Sequence, residues 1–111
     1  MTMLDIILDK RYGRKLSDEQ IRFFVKGVTD GTIPDYQTSS LLMAIVLNGM
    51  DEREMTTLTL EMCDSGKKND LSYLDGIPVD KHSTGGVGDK VTPLLIPLIA
   101  TFGVQTVKLS G

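Results

Sequence analysis

An α/β protein is the fold class this sequence predicts: an all-α helical lobe followed by the first β-α-β unit of an incomplete α/β domain. Apolar residues recur at helical spacing in four segments before residue 66, and a polar, turn-rich stretch over 66–76 then breaks the pattern. Beyond it, two short extended runs flank a glycine-rich turn and a single apolar helix. At 111 residues the chain has room for one compact unit or two small lobes, since a domain typically takes ~100–200 residues.

In the first segment Leu4, Ile7 and Leu8 lie at helical spacing, and Gly13 suits a left-handed stop. Ser17 with Gln20 forms a capping-box pattern ahead of Ile21, Phe24, Val25 and Val28, and Gly31 follows as the terminator. Pro34 fits the first turn of a third helix that runs through Leu41, Leu42, Ala44, Ile45 and Val46 to Asn48-Gly49. That helix is apolar almost all round, so it is expected either at the centre of the bundle or against another subunit. Asp51 and Glu54 repeat the capping-box logic for a fourth helix, whose expected buried stripe is Met55, Leu58 and Met62 and which closes at Ser65-Gly66.

These boundaries divide the chain into a helical lobe over 1–66, a hinge over 67–79 and the truncated start of an α/β domain over 80–111. In the last part an extended run ends at Lys81, an apolar helix reaches to about Phe102, and Val104 to Leu109 reads as a second strand. Pro97 falls inside that helix and removes a backbone donor, which predicts a local kink.

Composition excludes several classes of function. Residues 1–65 carry 7 basic and 11 acidic groups, and 66–111 carry 5 and 4, so no strongly basic face is available for nucleic acid. Cys63 is the only cysteine, which precludes an internal disulfide and a paired-thiol zinc site, fits a reducing compartment and is expected as a buried, inert thiol. Asp5 and Asp9 interrupt the first apolar stretch, and Pro93, Pro97 and Gly103 break the longest uncharged run. Neither a signal peptide nor a membrane span is expected, and the protein reads as soluble and cytoplasmic.

The chemistry concentrates in the run from Asp80 to Lys90. Gly85, Gly86 and Gly88, set between a strand and a helix, let main-chain N–H groups converge where the helix N-terminus adds partial positive charge. Lys81 supplies full charge, Ser83 and Thr84 supply hydroxyls, and Thr92 lies one turn on from Gly88, so the expected ligand is phosphate or a phosphate-bearing group. A glycine cluster also marks ordinary strand-to-helix turns, and an isolated His82 is as readily a structural histidine. The nucleotide-triphosphate loop does not fit, because Asp89 precedes Lys90 where that pattern requires glycine. The dinucleotide loop does not fit either, because Val91 stands where its third glycine belongs.

The run Lys81-His82-Ser83-Thr84-Gly85-Gly86-Val87-Gly88-Asp89-Lys90 resembles the signature of the thymidine and pyrimidine-nucleoside phosphorylases. The resemblance extends to Met3-Leu4-Asp5-Ile6-Ile7 and Lys10-Arg11 in the first helix and to the closing Lys108-Leu109-Ser110-Gly111. It implies phosphorolysis, in which inorganic phosphate attacks the anomeric carbon of a pyrimidine nucleoside and releases free base and a pentose 1-phosphate. By the family's pattern Lys81, Ser83, Thr92, Lys108, Leu109 and Ser110 hold phosphate, with Thr84, Gly85 and Gly86 forming the loop, and His82 lies near the base to polarise or protonate its carbonyl. The resemblance implies no organic cofactor, a potassium ion held by main-chain oxygens of Gly88 and Lys90, and a homodimer formed through the helical lobe.

Pro93 departs from the pattern, since the family usually has an aliphatic residue there. The family also continues past Ser110-Gly111 into further phosphate-, sugar- and base-binding segments. The chain therefore reads as the N-terminal portion of such an enzyme, carrying part of the phosphate site and inactive alone. Two other readings stay open: a noncatalytic helical dimerisation module, and a domain like the phosphoribosyltransferases, whose loop lacks the Lys81-His82-Ser83 lead-in.

Overall fold

The computed structural model describes residues 1–82 and 90–108. Among the described residues the helices are α1 (Met3–Arg11), α2 (Asp18–Thr29), α3 (Asp35–Asn48), α4 (Glu52–Ser65) and α5 (Thr92–Ala100). The chain divides into two compact units, Met1–Lys68 and Asn69–Gly111. No helix among the described residues is long and apolar enough to cross a membrane.

The first unit is a four-helix arrangement in which α1 packs on α3 and α2 packs on α4. Three of its helices begin with reciprocal capping boxes. Thr2 with Asp5 opens α1, Ser17 with Gln20 opens α2, and Asp51 with Glu54 opens α4, each pair satisfying two main-chain donors that the first turn leaves without partners. The third helix has no side-chain cap; Pro34 stands just before it as its N-cap rather than within its first turn. The expected left-handed stops at Gly13 and Gly49 have φ of 75° and 68°.

The core gathers Met3 and Ile6 of α1, Ile21, Phe24 and Val25 of α2, and Leu41 of α3, together with Leu16 and Ile33 from the connections. Leu16 precedes the Ser17 cap and Ile21 is the fourth helical residue, so the two occupy the hydrophobic-staple positions that fix how the chain enters α2. Gly27 lets the next connection close. A Cβ there would lie 2.4 Å from Ile33 Cδ1, and the Gly27 carbonyl accepts the Ile33 amide at 2.9 Å.

Several burial expectations are corrected. In α1 the covered face is Met3, Ile6 and Lys10, while Leu4 is exposed and Ile7 and Leu8 are half-buried. Apolar residues at 3, 4, 6, 7 and 8 permit more than one helical stripe, and the stripe in register with Lys10 is the one turned inward. In α4 only Glu54 is buried; Leu58 packs against the core from a half-buried position, and Met55 and Met62 are exposed. Helix α3 is not enclosed, for it buries Leu41 and Ala44 and leaves Leu42, Met43, Val46 and Leu47 exposed. Cys63 is exposed rather than buried, because the last turn of α4 runs past the core.

One buried cluster ties the unit together. Lys10 and Glu54 are 3% and 1% exposed, and Lys10 Nζ donates to Glu54 Oε1 at 2.8 Å. The same oxygen accepts the Leu16 amide at 2.7 Å, and Oε2 accepts the Asp51 amide at 2.9 Å. Burial acts to raise the Glu54 carboxyl, but the donors from Lys10, Asp51 and Leu16 outweigh it and hold the group below its ordinary value.

The second unit is sparser. The strands expected over 77–81 and 104–109 reduce, among the described residues, to one parallel bridge between Val79 and Thr106. Val79 N–H donates to the Gln105 carbonyl at 2.8 Å, and Val107 N–H donates to the Val79 carbonyl at 3.1 Å. Among the described residues no further strand flanks this parallel pair, which leaves little to extend the ladder. Between the bridge partners runs α5, which takes Pro93 in its first turn, continues through Pro97 and ends at Ala100, short of the expected Phe102. Thr92 is the only buried residue among those described in this unit.

Candidate functional site

The site is built by the parallel bridge. Pairing Val79 with Thr106 sends Asp80 and Lys81 out of one chain end and Val107 and Lys108 out of the other, side by side and in the same direction. In parallel α/β arrangements this is the end where ligands bind, because the helix that follows the first strand starts there. Here that helix is α5, whose first residue is Thr92.

The side chains converge on that point. Lys81 Nζ donates to Thr92 Oγ1 at 2.9 Å, which carries one ammonium to the helix N-terminus. Lys108 Nζ donates to the main-chain carbonyl of Lys81 at 3.0 Å and lies 3.4 Å from Asp80 Oδ1. Asp80 Oδ1 in turn accepts the Lys81 amide at 2.6 Å. Thr92 is buried and Lys81 half-buried, whereas His82 and Lys90 are exposed.

Of the residues expected to hold phosphate, the structure therefore brings Lys81, Thr92 and Lys108 together. Ser83, Thr84, Gly85, Gly86, Leu109 and Ser110 lie outside the described residues. His82 directly follows Lys81 and is exposed. Of the pair expected to hold potassium, Gly88 lies outside the described residues and Lys90 is exposed. Among the described residues no group of three His, Cys, Asp or Glu side chains gathers that could hold a metal.

Lys81 Nζ thus reaches the hydroxyl of the first residue of α5, while Lys108 Nζ reaches the main-chain carbonyl of the same Lys81. Charge-assisted hydrogen bonds from such groups can orient several oxygens of one phosphate at once. The residue that motif reading left without a role is Asp80. Its contact with Lys108 joins residues far apart in sequence, a pairing with no local signature.

A family model described as "Glycosyl transferase family, helical bundle domain" matches residues 4–66. Across 111 residues the chain is 54% identical to a pyrimidine-nucleoside phosphorylase of Bacillus subtilis, 56% to one of Staphylococcus haemolyticus and 53% to one of Geobacillus stearothermophilus. Each comparison covers 100% of this chain and 26% of the relative, so the chain spans about a quarter of the length of the curated relatives it matches.

Proposed function

The chain belongs to the glycosyl transferase family through its helical bundle, and on that footing we propose that it serves phosphorolysis of pyrimidine nucleosides, contributing a helical lobe and the first part of the phosphate site. The observation that carries this reading is the convergence of Lys81 Nζ on Thr92 Oγ1 at 2.9 Å and of Lys108 Nζ on the Lys81 carbonyl at 3.0 Å, at the start of α5. The names borne by relatives of 53–56% identity support it.

Phosphate is a weak nucleophile, and the reaction gains most from holding it in line with the carbon it attacks. Lys81, Lys108 and Thr92 bind and orient the anion, with Ser83, Leu109, Ser110 and the Thr84-Gly85-Gly86 loop completing the cradle. One phosphate oxygen forms a bond to the anomeric carbon as the bond from that carbon to the base nitrogen breaks, and the departing electron pair stays with the base. His82, next to Lys81 and open to solvent, stabilises the charge developing on the base carbonyl. The first bridge partner, α5 and the second bridge partner are read as the opening β-α-β unit of the phosphate-binding domain, with 67–79 as the hinge before it.

The test has two arms. Titration of the chain with inorganic phosphate, followed by calorimetry, gives saturable binding that Lys81→Ala and Lys108→Ala each weaken by tenfold or more. Phosphorolysis assays with uridine and thymidine at saturating phosphate give no turnover by the 111-residue chain itself. Rapid release of base by the chain alone overturns the reading that further segments are required, and binding of phosphoribosyl pyrophosphate without any response to phosphate favours a phosphoribosyltransferase-like site instead.

A homodimer through the helical lobe belongs to the same proposal, and the exposed row Leu42, Met43, Val46 and Leu47 on α3 supports it. Light scattering of the chain is expected to give twice the monomer mass, and Val46→Glu to halve it. A strictly monomeric parent at high concentration removes this part of the reading.

A further inference from the structure

We propose that Asp80 is a positioning residue for the anion site: its carboxylate fixes where the Lys108 ammonium stands relative to Lys81. The inference rests on the phosphate reading given above and extends it to a residue that reading leaves unused.

The register of the parallel bridge creates the problem that Asp80 solves. With Val79 opposite Thr106, Lys81 and Lys108 fall at matching positions two residues further along, so two cations emerge next to one another. Adjacent like charges repel, and lysine side chains have many rotamers through which to escape into water. The structure instead gives each ammonium its own anchor. Lys81 Nζ goes to Thr92 Oγ1, and Lys108 Nζ turns back to the Lys81 carbonyl, with Asp80 Oδ1 at 3.4 Å.

Asp80 acts at both ends of that second anchor. Oδ1 accepts the Lys81 amide at 2.6 Å, which holds the peptide whose neighbouring carbonyl receives Lys108, and the same oxygen faces the Lys108 ammonium. The Lys108 side chain is 27% exposed although it lies on a surface segment, in keeping with a side chain laid against its partners. A negative charge beside an anion site is by itself unfavourable to the anion. The benefit is that a single ordered ammonium replaces a mobile one, so less freedom is lost when phosphate arrives.

Simple electrostatics and positioning predict opposite signs, which makes the idea testable. Asp80→Asn removes the charge but keeps an oxygen able to accept the Lys81 amide. If Asp80 were only an unfavourable charge, phosphate would bind this variant more tightly. Positioning predicts that it binds three- to tenfold more weakly, and that Asp80→Glu, which restores the charge on a longer arm, recovers part of the loss.

A second readout needs no ligand. In the phosphate-free chain, the NMR signal of the Lys108 ammonium is expected to be visible through slowed proton exchange, and to shift or vanish in Asp80→Asn while the amide signals of Val79 and Val107 stay in place. Equal or tighter phosphate binding by Asp80→Asn overturns the proposal, as does an unchanged Lys108 signal. If the parent chain fails to bind phosphate but the Lys108 signal still responds to Asp80→Asn, the orienting contact stands and the phosphate reading falls.

Discussion

Replacing Lys10 with methionine probes the most consequential contact in the helical unit. The substitution keeps an unbranched stem on the face of α1 that buries Met3, Ile6 and Lys10 and removes the ammonium, so Glu54 loses its counter-ion. Breaking a buried ion pair from one side costs about 3–5 kcal/mol, because the remaining charge is left in a poorly solvated place. A unit of this size has a total stability of roughly 3–10 kcal/mol at about 0.05–0.15 kcal/mol per residue. Lys10→Met is therefore expected to remove a third or more of the stability at pH 7, read from urea unfolding followed by far-UV circular dichroism.

The pH dependence supplies the check. In the parent, burial is outweighed by the donors from Lys10, Asp51 and Leu16, and the Glu54 carboxyl is held below its ordinary value. Its contribution is present above the ordinary carboxylate range and is lost as pH falls through the lowered value. Without Lys10, burial dominates, the carboxyl moves up, and the variant sheds its penalty as it takes up a proton. The gap between parent and variant must therefore narrow as the pH falls from 7 through the ordinary carboxylate range. A variant within about 0.5 kcal/mol of the parent at pH 7, or a gap that does not change on acidification, refutes the reasoning.

Other outcomes follow from single contacts. Ser17→Ala removes the hydroxyl that accepts the Gln20 amide at 3.2 Å and is expected to lower the urea midpoint by an amount equal to about 1 kcal/mol. Gly27→Val drives a branched side chain into Ile33, whose Cδ1 and Cγ1 lie 2.4 and 2.6 Å from the position of a new Cβ. The expected cost is about 1–3 kcal/mol in the same unfolding assay, and a neutral effect would mean that the connection holding Ile33 is free to move. The Asp51 carboxyl is held below its ordinary value, first by Lys15 and then by the Glu54 amide. A titration of its carboxyl carbon by NMR should therefore have its midpoint below that of an ordinary aspartate, and Lys15→Ala should move the midpoint upward.

Local signals in the sequence carried most of the helical unit. The Ser17-Gln20 and Asp51-Glu54 boxes and the glycines at 13 and 49 depend on residues within a few positions of one another, and the helices begin and end where those residues say. What was not legible was which face turns inward. In α1 two overlapping apolar stripes compete, and the choice depends on Lys10 meeting Glu54 from 44 positions away. Glu54 was readable as a cap and not as a buried partner, since both roles call for the same carboxylate. Met55, Met62 and Cys63 are likewise exposed, since α4 buries Glu54 and packs Leu58 against the core.

At the candidate site the motif identified Lys81, Thr92 and Lys108 as members of one set, and the structure supplied the pairing that unites them. Asp80 escaped because its role arises only when residues 79 and 106 come into register. Short parallel pairing of this kind has no periodic pattern long enough to predict its register.

Among the described residues of the second unit the single buried one is Thr92, and it is the hydroxyl that receives Lys81. Because that covered hydroxyl is also a member of the proposed anion site, ordering this segment and ordering the site are coupled. Apparent affinity for the anion then equals the intrinsic affinity scaled by the fraction of molecules already assembled. Any agent that compacts this lobe, even one that never touches the anion, should sharpen the titration curve toward lower concentration.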